Sequence, residues 1–131
     1  MQKTVVNPWP WSVGLGYYQG EVVSGHTRTL YCAGQTATNQ DGQPQHPGDM
    51  AAQLSLCLDN LQSVLGQADM TLADVVRLTI YAVDVDQLFQ HYGVLMARLG
   101  AAGAAPPTTV LGVTRLAVPD LLVEIEATAV A

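Results

Sequence analysis

Charge is the scarcest property of this chain: only 12% of its 131 residues are Asp, Glu, Lys or Arg, about half the ~25% usual in soluble domains. So few charges cannot coat a lone domain generously, and part of the surface is expected to be buried in an oligomer. Basic residues are fewest, five Lys and Arg against eleven Asp and Glu, for a net charge of −6. A nucleic-acid binder needs a cationic footprint to displace counterions from phosphates, and an anionic membrane surface recruits basic clusters, so neither partner is expected. Cysteine is limited to Cys32 and Cys57, with no CxxC spacing, which reads as two reduced thiols in a cytoplasmic protein. No apolar run reaches the roughly 18 residues of a transmembrane helix, and the opening MQKTVVNPWPW lacks the long apolar core of a signal peptide. His26, His46 and His91 have none of the spacings that hold a metal, so no metal is expected. Gly100-Ala101-Ala102-Gly103 precedes a proline pair rather than a helix start, so it is no phosphate loop and no cofactor is expected.

What is present describes one domain over residues 1–131, long enough to bury roughly two-thirds of its unfolded surface without disulfides or metal. Residues 21–24 and 27–33 are β-prone around a Ser24-Gly25-His26 turn and read as a β-hairpin. Gly34 to Gly48 is polar and turn-rich, a loop long enough to suggest function. Asp49 reads as the N-cap of an amphipathic helix with Met50, Leu54, Cys57, Leu61, Val64, Leu65 and Ala68 at steps of three and four. A strand follows over 74–83, with Val76, Leu78, Ile80 and Ala82 on its better-buried face. A second helix, capped by Asp84 or Asp86, carries Leu88, Phe89, Tyr92, Leu95, Met96 and Leu99 until Pro106-Pro107 stops the chain from continuing as helix. Strands over 108–113 and 121–130 complete the order β-β-α-β-α-β-β. This is an α+β fold with two helices on one face of a mixed sheet, the other face being left for another subunit.

Four segments, Gly16-Tyr17-Tyr18-Gln19-Gly20, Tyr31-Cys32-Ala33-Gly34-Gln35, Gly112-Val113-Thr114-Arg115-Leu116 and Val123-Glu124-Ile125-Glu126-Ala127-Thr128-Ala129, resemble the Rid/YjgF family in order and spacing. The helix over 53–65, with Leu58-Asp59-Asn60-Leu61 inside it, is similar to that family's first helix, and the resemblance spans about residues 14 to 130. It implies a chorismate-mutase-like (YjgF-like) fold and a homotrimer with three clefts between subunits that hold a small-molecule ligand. For the best-known branch it also implies hydrolysis of reactive enamines and imines to keto acids and ammonia. Some members carry a ribonuclease label, which the −6 charge makes unattractive here.

One departure is large. The deaminase arginine of the family, eight residues before the Leu of its V-x-R-L motif, falls on Thr108, while Arg115 is the motif's own Arg. An arginine grips a substrate carboxylate through a bidentate, charge-assisted pair; threonine offers one neutral hydroxyl. About one extra residue also separates Leu116 from Val123, so the last turn differs.

By this resemblance Glu124 is the catalytic residue, orienting the attacking water or moving a proton; the plainer reading is a strand glutamate tied to backbone or to a neighbouring cation. Glu126 reads as structural or interfacial. Tyr17 matches the cleft tyrosine and would line the pocket, or else pack on the hairpin. Gly34 would let backbone approach the substrate, or simply turn the chain. Thr108 and Thr109 open the strand at the expected cleft and would contact substrate, or serve only strand propensity. Tyr92, beside His91 on the second helix, would approach the same cleft, or else serve the core or the surface, and Val110 would line it. Cys32 reads as a core thiol, and Trp9 and Trp11 as core anchors by default, or else as caps on the cleft or on a subunit contact. The expected function is hydrolysis of enamine or imine metabolites to carbonyl plus ammonia, with substrate preference altered at Thr108. A non-catalytic metabolite-binding trimer and a pathway-specific deaminase are the alternatives.

Overall fold

The computed structural model describes residues 1–131, and its main body is a four-stranded sheet in the order β3-β6-β4-β5. Here β3 is Thr29–Thr36, β4 Val75–Ala82, β5 Thr108–Gly112 and β6 Val123–Val130. The β3/β6 and β6/β4 pairs are antiparallel and β4/β5 is parallel. A parallel pair needs a crossover, and the helical segment between β4 and β5 supplies it.

Strand β6 alternates buried Val123, Ile125, Ala127 and Ala129 with half-buried Glu124, Glu126 and Thr128. The buried set faces α1 (Met50–Gln67), which packs on β3 and β6. Asp49 caps α1 as expected, accepting from the Ala52 N–H at 3.0 Å, and Leu54, Cys57, Leu58, Leu61 and Leu65 are fully buried under it. On β4, Leu78, Ile80 and Ala82 are fully buried, but Val75 replaces the expected Val76 in the core. The register of β4 against β6 slips between Val75 and Arg77, and such a bulge reverses the alternation of faces on one side of it.

Three expectations about elements need correction. The first is the hairpin. Residues 20–24 form β2 (Gly20–Ser24), which pairs not with β3 but antiparallel with β1 (Gln2–Val6), as a separate two-stranded ribbon. Gly25, at φ 72°, does turn the chain, yet β3 is taken by β6, an eight-residue partner that buries every second side chain. The second is the helix after β4. It is two helices, α2 (Val85–Gln90) and α3 (Gly93–Ala101). Between them the N–H groups of His91, Tyr92 and Val94 reach back three residues instead of four, to Leu88, Phe89 and His91, the tighter winding that marks an interrupted helix. Gly93, a weak helix former, sits at the break. The third is the tryptophan pair: Trp9 and Trp11 are 59% and 58% exposed, not core anchors. Pro8 and Pro10 bias the residues before them to extended backbone, Trp9 lying at φ −128° and ψ 130° ahead of the short helical turn that begins at Pro10.

The long loop between β3 and α1 is pinned by side chains. Asn39 Oδ1 accepts from the Asp41 and Gln43 N–H groups, and Asn60 on α1 donates to the Thr36 and Thr38 carbonyls at 2.9 and 3.0 Å. Gln53, completely buried, donates to the His46 and Asp120 carbonyls and accepts from the Leu122 N–H. It ties the loop, the helix and the entry to β6 into one unit. No helix is long and apolar enough to cross a membrane. The sheet face opposite the helices is covered by no element of the protomer, and Tyr31 on it is 79% exposed.

Candidate functional site

The predicted site residues fall into two groups. The first surrounds a cavity of about 390 Å³ at the β5 edge, on the helix side of the sheet. Thr108 and Val110 form its floor, since they pair in register with the core-facing Leu78 and Ile80. Phe89, Tyr92 and Met96 form one wall, from α2, the helix break and α3. Gly14, Leu15 and Tyr17 form the other, from the short 3₁₀ turn Pro10–Leu15 and the residues after it.

Local backbone chemistry places that second wall. Gly16 adopts a left-handed conformation at φ 85° and closes the turn by donating to the Val13 carbonyl. That left-handed backbone favours glycine, and a Cβ there would also force the end of the Met96 side chain to move, so the turn rests directly on α3. The Tyr18 N–H then donates to the Ala105 carbonyl at 3.0 Å, which fixes Tyr17 beside the chain entering β5. Trp11 stands edge-on to Tyr17 at 6.1 Å, and Phe89 edge-on to Tyr92 at 5.5 Å. Two T-shaped pairs thus brace the two phenols. Burial above all, and then the proximity of Tyr17, pushes the Tyr92 phenol above its ordinary value, so it stays a neutral hydroxyl. The Thr108 hydroxyl donates to the Pro106 carbonyl at 2.8 Å, so it presents a lone pair and a methyl group to any ligand.

No cation lines this cavity. Each of the five basic side chains is engaged elsewhere. Lys3 donates to the Ala73 carbonyl and Arg28 to that of Ala68. Arg98 pairs with Asp59 at 2.8 Å and reaches Gln62. Arg77 donates to Thr109 Oγ1, and Arg115 to the carbonyls of Leu116 and Ala117 in its own turn.

The second group lies on the open face of the sheet. Gly34 sits where the β3/β6 register shifts, between Cys32 and Gln35. Its missing side chain is filled by Glu124: a Cβ on Gly34 would stand 2.7 Å from the Glu124 Cδ and 2.9 Å from its Cγ. The Glu124 carboxylate has no hydrogen-bond partner within the protomer, whereas Glu126 accepts from the Tyr81 hydroxyl at 2.7 Å. That hydrogen bond is the main reason the Tyr81 phenol titrates above its ordinary value. It gives Glu126 the structural role expected of it. Thr109 lies on this face too: it pairs in register with Thr79, which pairs in turn with Glu126, and its hydroxyl accepts from Arg77.

The structure therefore brings Tyr17, Tyr92 and Thr108 together, and Gly34 with Glu124, but does not join the two groups within one chain. Thr109 faces away from Thr108. Thr108 and Glu124 point to opposite faces and are two strands apart, roughly 10 Å across the sheet at 4.7–4.9 Å per strand. Both cysteines are free and buried, Cys32 in the core as expected. Sequence reasoning missed Gly14, Leu15, Phe89 and Met96 as cavity walls. The signal was the width of the second helix's apolar stripe: Leu88, Leu95 and Leu99 fill the core, while Phe89, Tyr92 and Met96, also spaced by three and four, form a neighbouring stripe that does not.

The family model described as Endoribonuclease L-PSP matches residues 14–131. The RutC family protein YjgH of Escherichia coli (strain K12) is 29% identical over 96 residues, covering 73% of this chain and 72% of its own. Among solved structures, YyfB of the conserved Rid protein family from Yersinia pestis superposes with a TM-score of 0.85 at 39% identity, covering all of both chains. The YjgF gene product of E. coli superposes at 0.70 with 30% identity over 87% of each. The architecture is the chorismate-mutase-like one of these proteins.

Proposed function

This chain belongs to the Endoribonuclease L-PSP (YjgF/Rid) family, and from that premise we propose that it hydrolyses enamine or imine metabolites to a carbonyl compound and ammonia. The observation that carries the reading is the Glu124 carboxylate lying over Gly34, on the open sheet face and without a partner in its own protomer. A structural glutamate would be tied down as Glu126 is. An unpaired carboxylate beside a surface that a second subunit can close is available to handle a proton.

Water attacks the iminium carbon while Glu124 takes one of its protons. That proton passes to the nitrogen; the C–N bond then breaks and ammonia leaves as Glu124 takes the remaining hydroxyl proton, so that the C=O bond forms and this last proton is released to solvent or to the departing ammonia. Tyr17 and Tyr92 shape the pocket and donate hydrogen bonds, and Thr108 contacts the substrate. Because Thr108 and Glu124 are too far apart to touch one small molecule in a single chain, the reacting cleft lies between copies. A homotrimer supplies it, with the cavity of one protomer facing the Gly34–Glu124 pair of the next. Thr109 acts indirectly, by holding Arg77 on the face that the neighbour covers. Ribonuclease chemistry fits poorly, since a net charge of −6 and a cation-free cavity give phosphates nothing to bind.

The test generates imines in situ with an amine oxidase and an amino-acid oxidase, traps survivors with semicarbazide, and compares the protein with Glu124→Gln. Faster loss of imine that disappears in the variant supports the hydrolase. No acceleration with either set of imines overturns it in favour of a metabolite-binding trimer.

A further inference from the structure

We infer that the cavity at the β5 edge takes an uncharged ligand with an aromatic or comparably bulky apolar group. For the word substrate this rests on the hydrolase reading above; for the ligand class it rests on the cavity alone. Three observations carry it. The first is size: about 390 Å³ lies within the ~300–1,000 Å³ of small-molecule sites. A cavity of ~150 Å³ already accommodates a benzene ring, so a ring and a short chain fit together.

The second is the lining. Leu15, Phe89, Met96 and Val110 supply apolar walls, and the rings of Tyr17 and Tyr92 stand braced by Trp11 and Phe89. Edge-to-face packing against an aromatic guest is the contact such walls make best, and the Met96 thioether adds a polarisable surface that adapts to ring edges.

The third is charge. A carboxylate in this cavity meets no cation among the lining residues, and each of the five basic side chains has a hydrogen-bond partner elsewhere. Desolvating an unpaired carboxylate is strongly unfavourable. The polar groups that remain, two phenols and the Thr108 oxygen, suit a neutral C=N or C=O.

The test measures binding by isothermal titration of the whole protein with phenylacetone and with phenylpyruvate, which differ by a methyl group against a carboxylate. Acetone and pyruvate are the small counterparts. Gly14→Leu serves as the blocking variant: a Cβ there meets nothing within 4 Å and the backbone is not left-handed, so the substitution starts from unstrained backbone, and circular dichroism checks its fold. Phenylacetone is expected to bind roughly tenfold or more tightly than phenylpyruvate, more tightly than acetone, and to lose affinity in the folded Gly14→Leu variant. A second arm compares imine loss from 2-phenylethylamine and from phenylalanine. Phenylacetone binding with turnover of neither imine keeps this inference and overturns the hydrolase reading. Turnover that prefers the phenylalanine imine keeps the hydrolase and overturns this inference. Failure of phenylacetone to bind, or equal binding of phenylpyruvate, overturns it as well.

Discussion

Gly34 and Glu124 occupy one space. The carboxyl group of Glu124 fills the volume that any side chain at Gly34 would need, with its Cδ and Cγ 2.7 and 2.9 Å from where a Cβ would stand. Glycine at a β-bulge commonly marks such a close approach, and here it fixes where an unpaired carboxylate lies on the open sheet face.

Gly34→Ala therefore displaces the carboxylate without removing it. Imine hydrolysis is expected to fall by about 10²-fold, the lower range for losing a positioned acid–base group, while the protein stays folded by circular dichroism. Unchanged turnover in a folded Gly34→Ala protein removes Glu124 from the reaction.

Thr108→Arg places a guanidinium on the cavity floor, where every other cation is engaged elsewhere. A charged hydrogen bond contributes roughly 1.5–3 kcal/mol. Preference should thus shift by about 10- to 100-fold toward imines bearing a carboxylate, read as the ratio of kcat/KM for the two oxidase-generated substrates.

Gln53 holds three backbone groups from two loops inside the core. Gln53→Ala leaves them without their partner, and stability in urea should drop by about 3 kcal/mol. Because Gln53 is distant in the chain from the cavity walls, phenylacetone affinity per folded molecule should not change.

Alkaline pH should destabilise the protein through Cys57. Burial, then the charge of Glu124, pushes its thiol from 9.0 up to about 12, against a small opposing backbone hydrogen bond. The folded chain keeps a proton that the unfolded chain releases, so this contribution is intact below pH 9 and lost as pH rises toward 12. The slope reaches at most about 1.4 kcal/mol per pH unit. Urea midpoints measured across that window should fall less steeply in Cys57→Ala.

Much of this was legible in the residues, and the rest fails for identifiable reasons. Asp49 and the three-and-four spacing of Leu54, Cys57, Leu61 and Leu65 placed α1 because capping and amphipathicity are local. Strand partners are not local: nothing around Val22 announces that it pairs with Thr4 instead of continuing into a hairpin. The break at Tyr92 was hidden because the apolar spacing runs through it unchanged. The alternation of β6 put Glu124 and Glu126 on one face, but only the folded structure shows that Tyr81, opposite Glu124 in register, reaches diagonally to Glu126 and leaves Glu124 unpaired. Tyr17, Tyr92 and Thr108 were recognisable as pocket residues. That Thr109 and Glu124 point the other way follows from the parity of residues along two strands, which becomes readable once the pairing is known.

The proposed reaction needs the cavity of one protomer and the Gly34–Glu124 pair of another to make one site. Light scattering at micromolar concentration tests it most directly. A particle of three times 13.9 kDa is expected. A monomer at that concentration would contradict it, because Thr108 and Glu124 would then remain on opposite faces of the same sheet with nothing to bring them together.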